Sequence, residues 1–159
     1  MSIMASLPEQ PGSDEAVTLG VLGDLTGYHL RRASGAVAAD FRRALDGTGM
    51  RQVLFGILSV VADNPGINQG AVGRVLGIQR ANMVALINEL VDAGSIDRRA
   101  AANDRRAFSL ALTPAGVSAM RECAHRIAAH EEAMLADLSA AERRVLIEML
   151  GRIEARGGA

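Results

Sequence analysis

Apolar residues along the chain follow a helical spacing for most of its length and an alternating one for a short stretch near residue 110. Leu22, Thr26, His29, Ala33, Val37 and Phe41 recur at helical intervals, and Leu19, Leu25 and Leu30 widen the stripe, which predicts one long helix over 19–45. The segment "MRQVLFGILSVVA", 50–62, is almost entirely apolar and predicts a buried helix that "DNPG" at 63–66 stops. Asn68 is placed to cap a short helix, "NQGAVGRVL". Gly70 and Gly73 each weaken that helix by about 1 kcal/mol relative to alanine, so it depends on tertiary packing. After the turn "LGI", a helix over 79–93 carries Met83, Val84, Ile87, Leu90 and Val91 at i, i+1, i+4, i+7 and i+8, and Gly94 ends it.

The period then changes. "SIDR" and "AFSLALT" read as two short strands, with Phe108, Leu110 and Leu112 on one face. Thr113 and Pro114 form the N-cap and first position of a helix reaching about Ala136, and Ser139 with Glu142 makes a capping box for a last helix to about Ala155. The predicted fold is mainly α with a small β-hairpin: an acidic tail over 1–18, a helix over 19–48, a compact lobe over 49–113 and two helices over 114–159.

Composition narrows the class. A chain of 159 residues with 49% hydrophobic and 22% charged residues is globular rather than disordered. No apolar run reaches the roughly 18 residues of a membrane span, and the first 18 residues lack the basic start and apolar middle of a signal peptide, so a cytoplasmic protein is expected. One cysteine, Cys123, excludes an internal disulfide framework and reads as a small packing residue rather than a redox switch. All 17 basic residues are arginine, and the net charge of −1 argues against a general nucleic-acid coat. Arg98, Arg99, Arg105 and Arg106 nevertheless cluster within nine residues that contain a single acid, Asp104.

Short helix, glycine turn, amphipathic helix and basic hairpin is the order of a winged helix-turn-helix. The second helix of such a pair fits the major groove, with its first turn at the base edges. That turn offers Gln79, Arg80, Ala81 and Asn82; arginine can pair with guanine, and glutamine or asparagine with adenine. Asn68 and Gln69, opening the preceding helix, join the DNA-contacting set, while Glu89 is expected to pair with a cation or turn away. In a regular strand Asp104 and Arg106 project to one side. The aspartate then either extends the Arg106 guanidinium by a bidentate pair or braces Arg98 across the hairpin. Arg106 is assigned to the minor groove, Arg105 to a phosphate, and Arg98 and Arg99 to backbone charge.

Residues 53–116 resemble the MarR family of bacterial transcriptional regulators, most specifically in Asp104-Arg105-Arg106 followed by a strand and Leu112-Thr113-Pro114-Ala115-Gly116. The flanking helices extend the resemblance over about 19–155. It implies a homodimer with intertwined terminal helices, whose two recognition helices sit about 34 Å apart on palindromic double-stranded DNA. The chain departs from the family pattern at Gln79, where a better capping residue is common, at Asn82, where threonine or serine is frequent, and at Gly70 and Gly73. The resemblance also implies a repressor released by a small effector, often an aromatic acid and in some relatives an aromatic acyl-CoA, bound between the terminal helices and the central lobe. Of the chain's four aromatics, Tyr28, Phe41 and Phe55 lie in the first two helices. Tyr28 and His29 suit a phenol and Arg32 a carboxylate or phosphate; packing roles for His29, Tyr28, Phe41 and Phe55 compete with this reading.

His125 and His130 are five apart, not the i, i+4 of a helical metal pair, so neither a metal nor another cofactor is expected. No nucleophile–base pair, phosphate loop or paired carboxylates stand out, so no enzyme is expected. The competing class is a winged-helix module that contacts proteins and has no operator; polar Gln79, Arg80 and Asn82 and the arginine hairpin speak against it.

Overall fold

A computed structural model describes residues 17–101 and 104–157, with residues 100, 101 and 104–107 described by backbone alone. The elements are a 3-10 turn Gly20–Asp24, then α1 (Thr26–Ala44), α2 (Gln52–Asp63), α3 (Gln69–Leu76), α4 (Arg80–Asp92), β1 (Ile96–Ala101), β2 (Asp104–Leu112), α5 (Pro114–Met134) and α6 (Ala140–Gly157). The chain divides into two compact units, Met1–Ala36 and Val37–Ala159, and the division falls within α1.

In the first unit the continuous helix expected over 19–45 is broken. Leu25 is extended, at φ −90° and ψ 106°, between the 3-10 turn and α1. Gly20 has φ +53°, and Gly20 and Gly23 lie in the turn that fails to become α-helix. Two glycines in one turn withdraw the helix propensity that the apolar spacing required. The break leaves the Gly23 carbonyl free to accept from His29 Nε2 at 2.9 Å, so His29 is exposed and not packed in an apolar stripe.

In the second unit the core is Leu54, Ile57, Leu58 and Val61 of α2, Val72 of α3, Met83, Ile87 and Leu90 of α4, and Ile96 and Leu110 of the hairpin. Local capping agrees with the sequence. Asn68 Oδ1 accepts from Ala71 N at 2.9 Å. Gly94, at φ +68°, closes α4 with Gly94 N donating to the Val91 carbonyl and Ser95 N to that of Leu90. Glu142 N donates to Ser139 Oγ at 3.3 Å while Ser139 N donates to Glu142 Oε2 at 2.8 Å. The Glu142 carboxyl is thereby held below its ordinary pKa.

Gly73 is a close-approach residue. A Cβ there would lie 3.0 Å from the Ile78 carbonyl and 3.7 Å from Met83 Cε, so its lack of a side chain lets α3 sit against the turn into α4. Gly77, at φ +64°, makes that turn.

β1 and β2 pair antiparallel from Ile96↔Leu112 to Ala100↔Phe108, and the register then shifts so that Ala101 opposes Asp104. The strands run further toward the tip than "SIDR" and "AFSLALT" indicate. The shift leaves Arg105, Arg106 and Ala107 opposite no β1 residue. Strict alternation does not extend through such a bulge, so the register alone does not put Asp104 and Arg106 on one side. Their side chains, that of Arg105, the tip residue Asn103 and the tail over 1–16 lie outside the described residues. Of the three residues expected on one face, Leu110 is 1% exposed and Phe108, nearer the hairpin end, is 58% exposed. The alternation runs past the end of the core, which stops near Leu110.

Thr113 joins the hairpin to α5 in two ways: its Oγ1 accepts from Gly116 N at 3.0 Å and donates to the Gly94 carbonyl at 2.6 Å. Arg143 ties the α5–α6 turn, pairing with Glu132 and donating to the Leu135 and Leu138 carbonyls. Cys123 is buried, and burial pushes its thiol pKa up, so a packing role fits and an activated thiolate does not. Among the described residues no helix is long and apolar enough to cross a membrane.

Candidate nucleic-acid interface

The helix pair α3–α4 and the hairpin enclose an open groove of about 950 Å³. Asn68, Gln69 and Arg74 line it from α3, Gln79 and Arg80 from the start of α4, Val84 and Asn88 from further along α4, and Arg98 and Phe108 from the hairpin. Arg74, Arg80 and Arg98 are its charged lining residues, and no carboxylate lines it among the described residues. A concave surface with one sign of charge concentrates the field that a polyanion meets.

The groove brings together Asn68, Gln69, Gln79, Arg80 and Arg98 of the expected set. Ala81 and Asn82 are exposed on the first turn of α4, outside its lining. Gln79 is the N-cap of α4 without a side-chain cap bond, leaving its amide uncommitted by capping. Arg99 is exposed, 3.9 Å from the Asp97 carboxylate, a solvated pair that contributes little stability.

Arg98 has a partner that the sequence did not reveal. Its Nη2 donates to Asn88 Oδ1, joining the hairpin to α4. Among the described groups Arg98 is therefore braced by α4, in the role considered for Asp104. The adjacent Glu89 turns to the other flank and pairs with Arg51 before α2. Residues 88 and 89 thus fasten the exposed side of α4 at two flanks. Arg74, Val84 and Asn88 were missed as groove residues; a signal was present for Val84 and Asn88, which follow Arg80 at i+4 and i+8.

A second concavity, a cleft of about 360 Å³, lies between α1, α5 and α6 with Gln52 of α2 in its wall. Val37, Phe41, Ile127, Met134 and Ile147 make it largely apolar, and Asp40, His130 and Arg143 supply polar groups. Asp40 Oδ1 accepts from Arg43 at 2.9 Å and lies 3.3 Å from His130 Nδ1. The Arg43 bond, helped by His130, holds the Asp40 carboxyl below its usual range against the opposing effect of burial. Of the expected effector residues, Phe41 lines the cleft and Phe55 packs edge-on against Phe41, with ring centroids 6.1 Å apart. Tyr28, His29 and Arg32 form a separate local group in the first unit. The Arg31 and Arg32 guanidinium groups lie 5.5 and 5.8 Å from the Tyr28 ring centroid. Among the described residues no group of three or more His, Cys, Asp or Glu side chains is placed to hold a metal.

Among the described residues six α-helices, a two-stranded antiparallel hairpin following α3–α4, and a basic groove between them define a winged helix-turn-helix protein. The chain belongs to the MarR family of transcriptional regulators, whose family model matches residues 49–107. It is 36% identical over 140 residues to a transcriptional regulatory protein for the hcr operon of Thauera aromatica, an alignment covering 87% of this chain and 84% of that protein. Among solved structures it is similar to the transcriptional repressor CouR bound to a 23-mer DNA duplex, with 31% identity, a TM-score of 0.83, and coverage of 88% of this chain and 99% of that one. It is also similar to CouR bound to p-coumaroyl-CoA, with 30% identity, a TM-score of 0.76, and coverage of 87% and 98%.

Proposed function

We propose that the protein is a dimeric repressor that grips a palindromic operator with α4 and the hairpin of each protomer and lets go when a small aromatic acid or its coenzyme A thioester binds. The observation that carries this reading is the groove between α3, α4 and the hairpin, lined by Arg74, Arg80 and Arg98. Its roles divide by chemistry. Gln79, Arg80, Ala81 and Asn82 approach base edges in the major groove, and Asn68 and Gln69 approach the flanking backbone. Arg99 and Arg105 supply phosphate contacts, and Arg106 enters the minor groove, with Asp104 beside it.

The second copy is supported by α6. Val145, Leu146, Ile147, Met149 and Ile153 are between 38% and 68% exposed, and none of the α6 residues is buried. An unburied apolar helix of this kind marks an association surface. Pairing through the terminal helices would set two copies of α4 about one helical turn of DNA apart.

For the effector, the cleft lined by Phe41 is within the size range of small-ligand sites. The Tyr28 and Arg32 group offers a ring and cations suited to a phenol, carboxylate or phosphate. The p-coumaroyl-CoA bound by CouR supports an aromatic thioester as the ligand class. Gln52 in the cleft wall adjoins Arg51, the partner of Glu89 on α4, so a ligand that displaces the start of α2 alters the footing of the recognition helix.

The test is release. The protein is bound to a labelled duplex from upstream of its own gene and titrated with p-coumarate, p-coumaroyl-CoA and acetyl-CoA. An aromatic ligand is expected to weaken DNA binding by about tenfold or more, a typical coupling between two sites, and acetyl-CoA to do nothing. Phe41→Ala should keep the DNA affinity and lose the response. DNA binding that no aromatic acid or thioester disturbs would remove the effector from the reading.

A further inference from the structure

The outward side of α4 carries three small apolar residues, Ala81, Val84 and Ala85, among its polar ones. Met83, Ile87 and Leu90 are turned into the core. At 3.6 residues per turn this puts Ala81, Ala85, Asn88 and Asp92 on the opposite face, with Val84 at its margin toward the hairpin. Ala81, Val84, Ala85 and Asn88 are all exposed, Val84 by 41%. Asn88 and Asp92 are the polar members of this face, Asp92 in the last turn; the Asn88 Oδ1 already accepts from Arg98. An asparagine that reads adenine needs the same oxygen to accept from the adenine amino group, so Asn88 in this arrangement has no bidentate pair to offer. Glu89 is engaged by Arg51 on the far flank.

We infer that the central turns of α4 read thymine C5-methyl groups through Ala81, Val84 and Ala85, which makes thymine the specified base at the centre of each operator half-site. This rests on the proposed DNA-binding role. The major groove presents donors, acceptors and one apolar group, the thymine methyl. Alanine and valine side chains laid against the donors and acceptors of guanine or cytosine would strip their water and return no hydrogen bond. Against thymine they bury a methyl on a methyl. Arg80 and Gln79, at the start of the helix, keep the hydrogen-bonding readout of the outer base pairs. The specificity is therefore divided along the helix: polar at its first turn, apolar in its middle.

Uracil lacks only this methyl. The operator duplex found by selection from a random pool is remade with deoxyuridine at each half-site thymine in turn, and binding is measured with wild type and Val84→Ala. Val84 is exposed and alanine favours helix, so the variant should fold. One or more central thymines should show about a fourfold loss per methyl with wild type, the value of one buried methyl group. Val84→Ala should lose affinity on thymine duplex and show a smaller uracil effect at the contacted position, since the partner group is already absent. Equal wild-type affinity for every uracil duplex overturns the inference while leaving DNA binding intact. A uracil effect undiminished in Val84→Ala also overturns its assignment to this residue. Absence of any sequence-preferring binding overturns both the inference and the function it rests on.

Discussion

Gly116→Ala is expected to lower the thermal midpoint by about 10 °C. A Cβ built on Gly116 would stand 2.0 Å from the Ser95 carbonyl oxygen and 2.9 Å from its carbon. Both are backbone atoms, and neither can rotate aside. The same carbonyl accepts from Thr113 N at 3.1 Å, and Thr113 Oγ1 donates to the Gly94 carbonyl, so two hydrogen bonds fasten the junction of α4, β2 and α5. Overpacking at such a site costs about 3 kcal/mol, and in a chain of this length each kcal/mol moves the midpoint by about 2–4 °C. Gly151→Ala is the matched control. It lies within α6 with nothing within 4 Å of the added Cβ, so its midpoint should hold or rise. Equal midpoints for the two variants in a melt followed by circular dichroism would contradict the packing of α5 on Ser95.

Arg106→Ala should weaken binding to the proposed operator by about 1–3 kcal/mol, or about 5- to 150-fold, without unfolding the protein. Arg105 and Arg106 lie between the Phe108 and Asp104 pairings, beyond the last core residue of the strand, at the free end of the hairpin. A bulge there increases twist and redirects the chain, a common way to aim side chains at a partner. A narrow minor groove would strengthen the attraction for an inserted guanidinium. Arg99→Ala, whose arginine sits beside Asp97 in solvent, should cost much less. Unchanged affinity for Arg106→Ala in a titration of labelled operator would take the hairpin out of the account.

The parts of this fold that were legible in the sequence are those decided within a few residues. The Asn68 cap, the Thr113-Pro114 start and the Ser139–Glu142 box each join groups three residues apart, and each forms as the sequence implies. The buried stripe of α4 was legible for Met83, Ile87 and Leu90 because period alone fixes one face. The break at Leu25 is invisible to apolar spacing, and its signal in the sequence is the pair Gly20 and Gly23. The exposure of Phe108 is not in the pattern, because alternation tells which face a residue takes and not where the core beneath it ends.

The site divides in the same way. Gln79 and Arg80 could be named from the position of a helix start after a turn. The Arg98–Asn88 bond spans ten residues and the Arg51–Glu89 pair thirty-eight, so both depend on the tertiary arrangement of α2, α4 and the hairpin. The small apolar pair Ala81 and Ala85 on the outer face of α4 is readable from its spacing of four, but its meaning depends on Arg98 occupying the Asn88 oxygen.

The central claim is sequence-specific operator binding, and fluorescence anisotropy tests it most directly. The purified protein is titrated onto a labelled duplex from upstream of its own gene and onto a scrambled duplex of the same composition, at 50 and 200 mM salt. The account predicts clear preference for the native duplex. It also predicts a fall in affinity of about a thousandfold between the two salt concentrations, as for a protein neutralising about six phosphates. Equal binding to both duplexes with a flat salt response would contradict it.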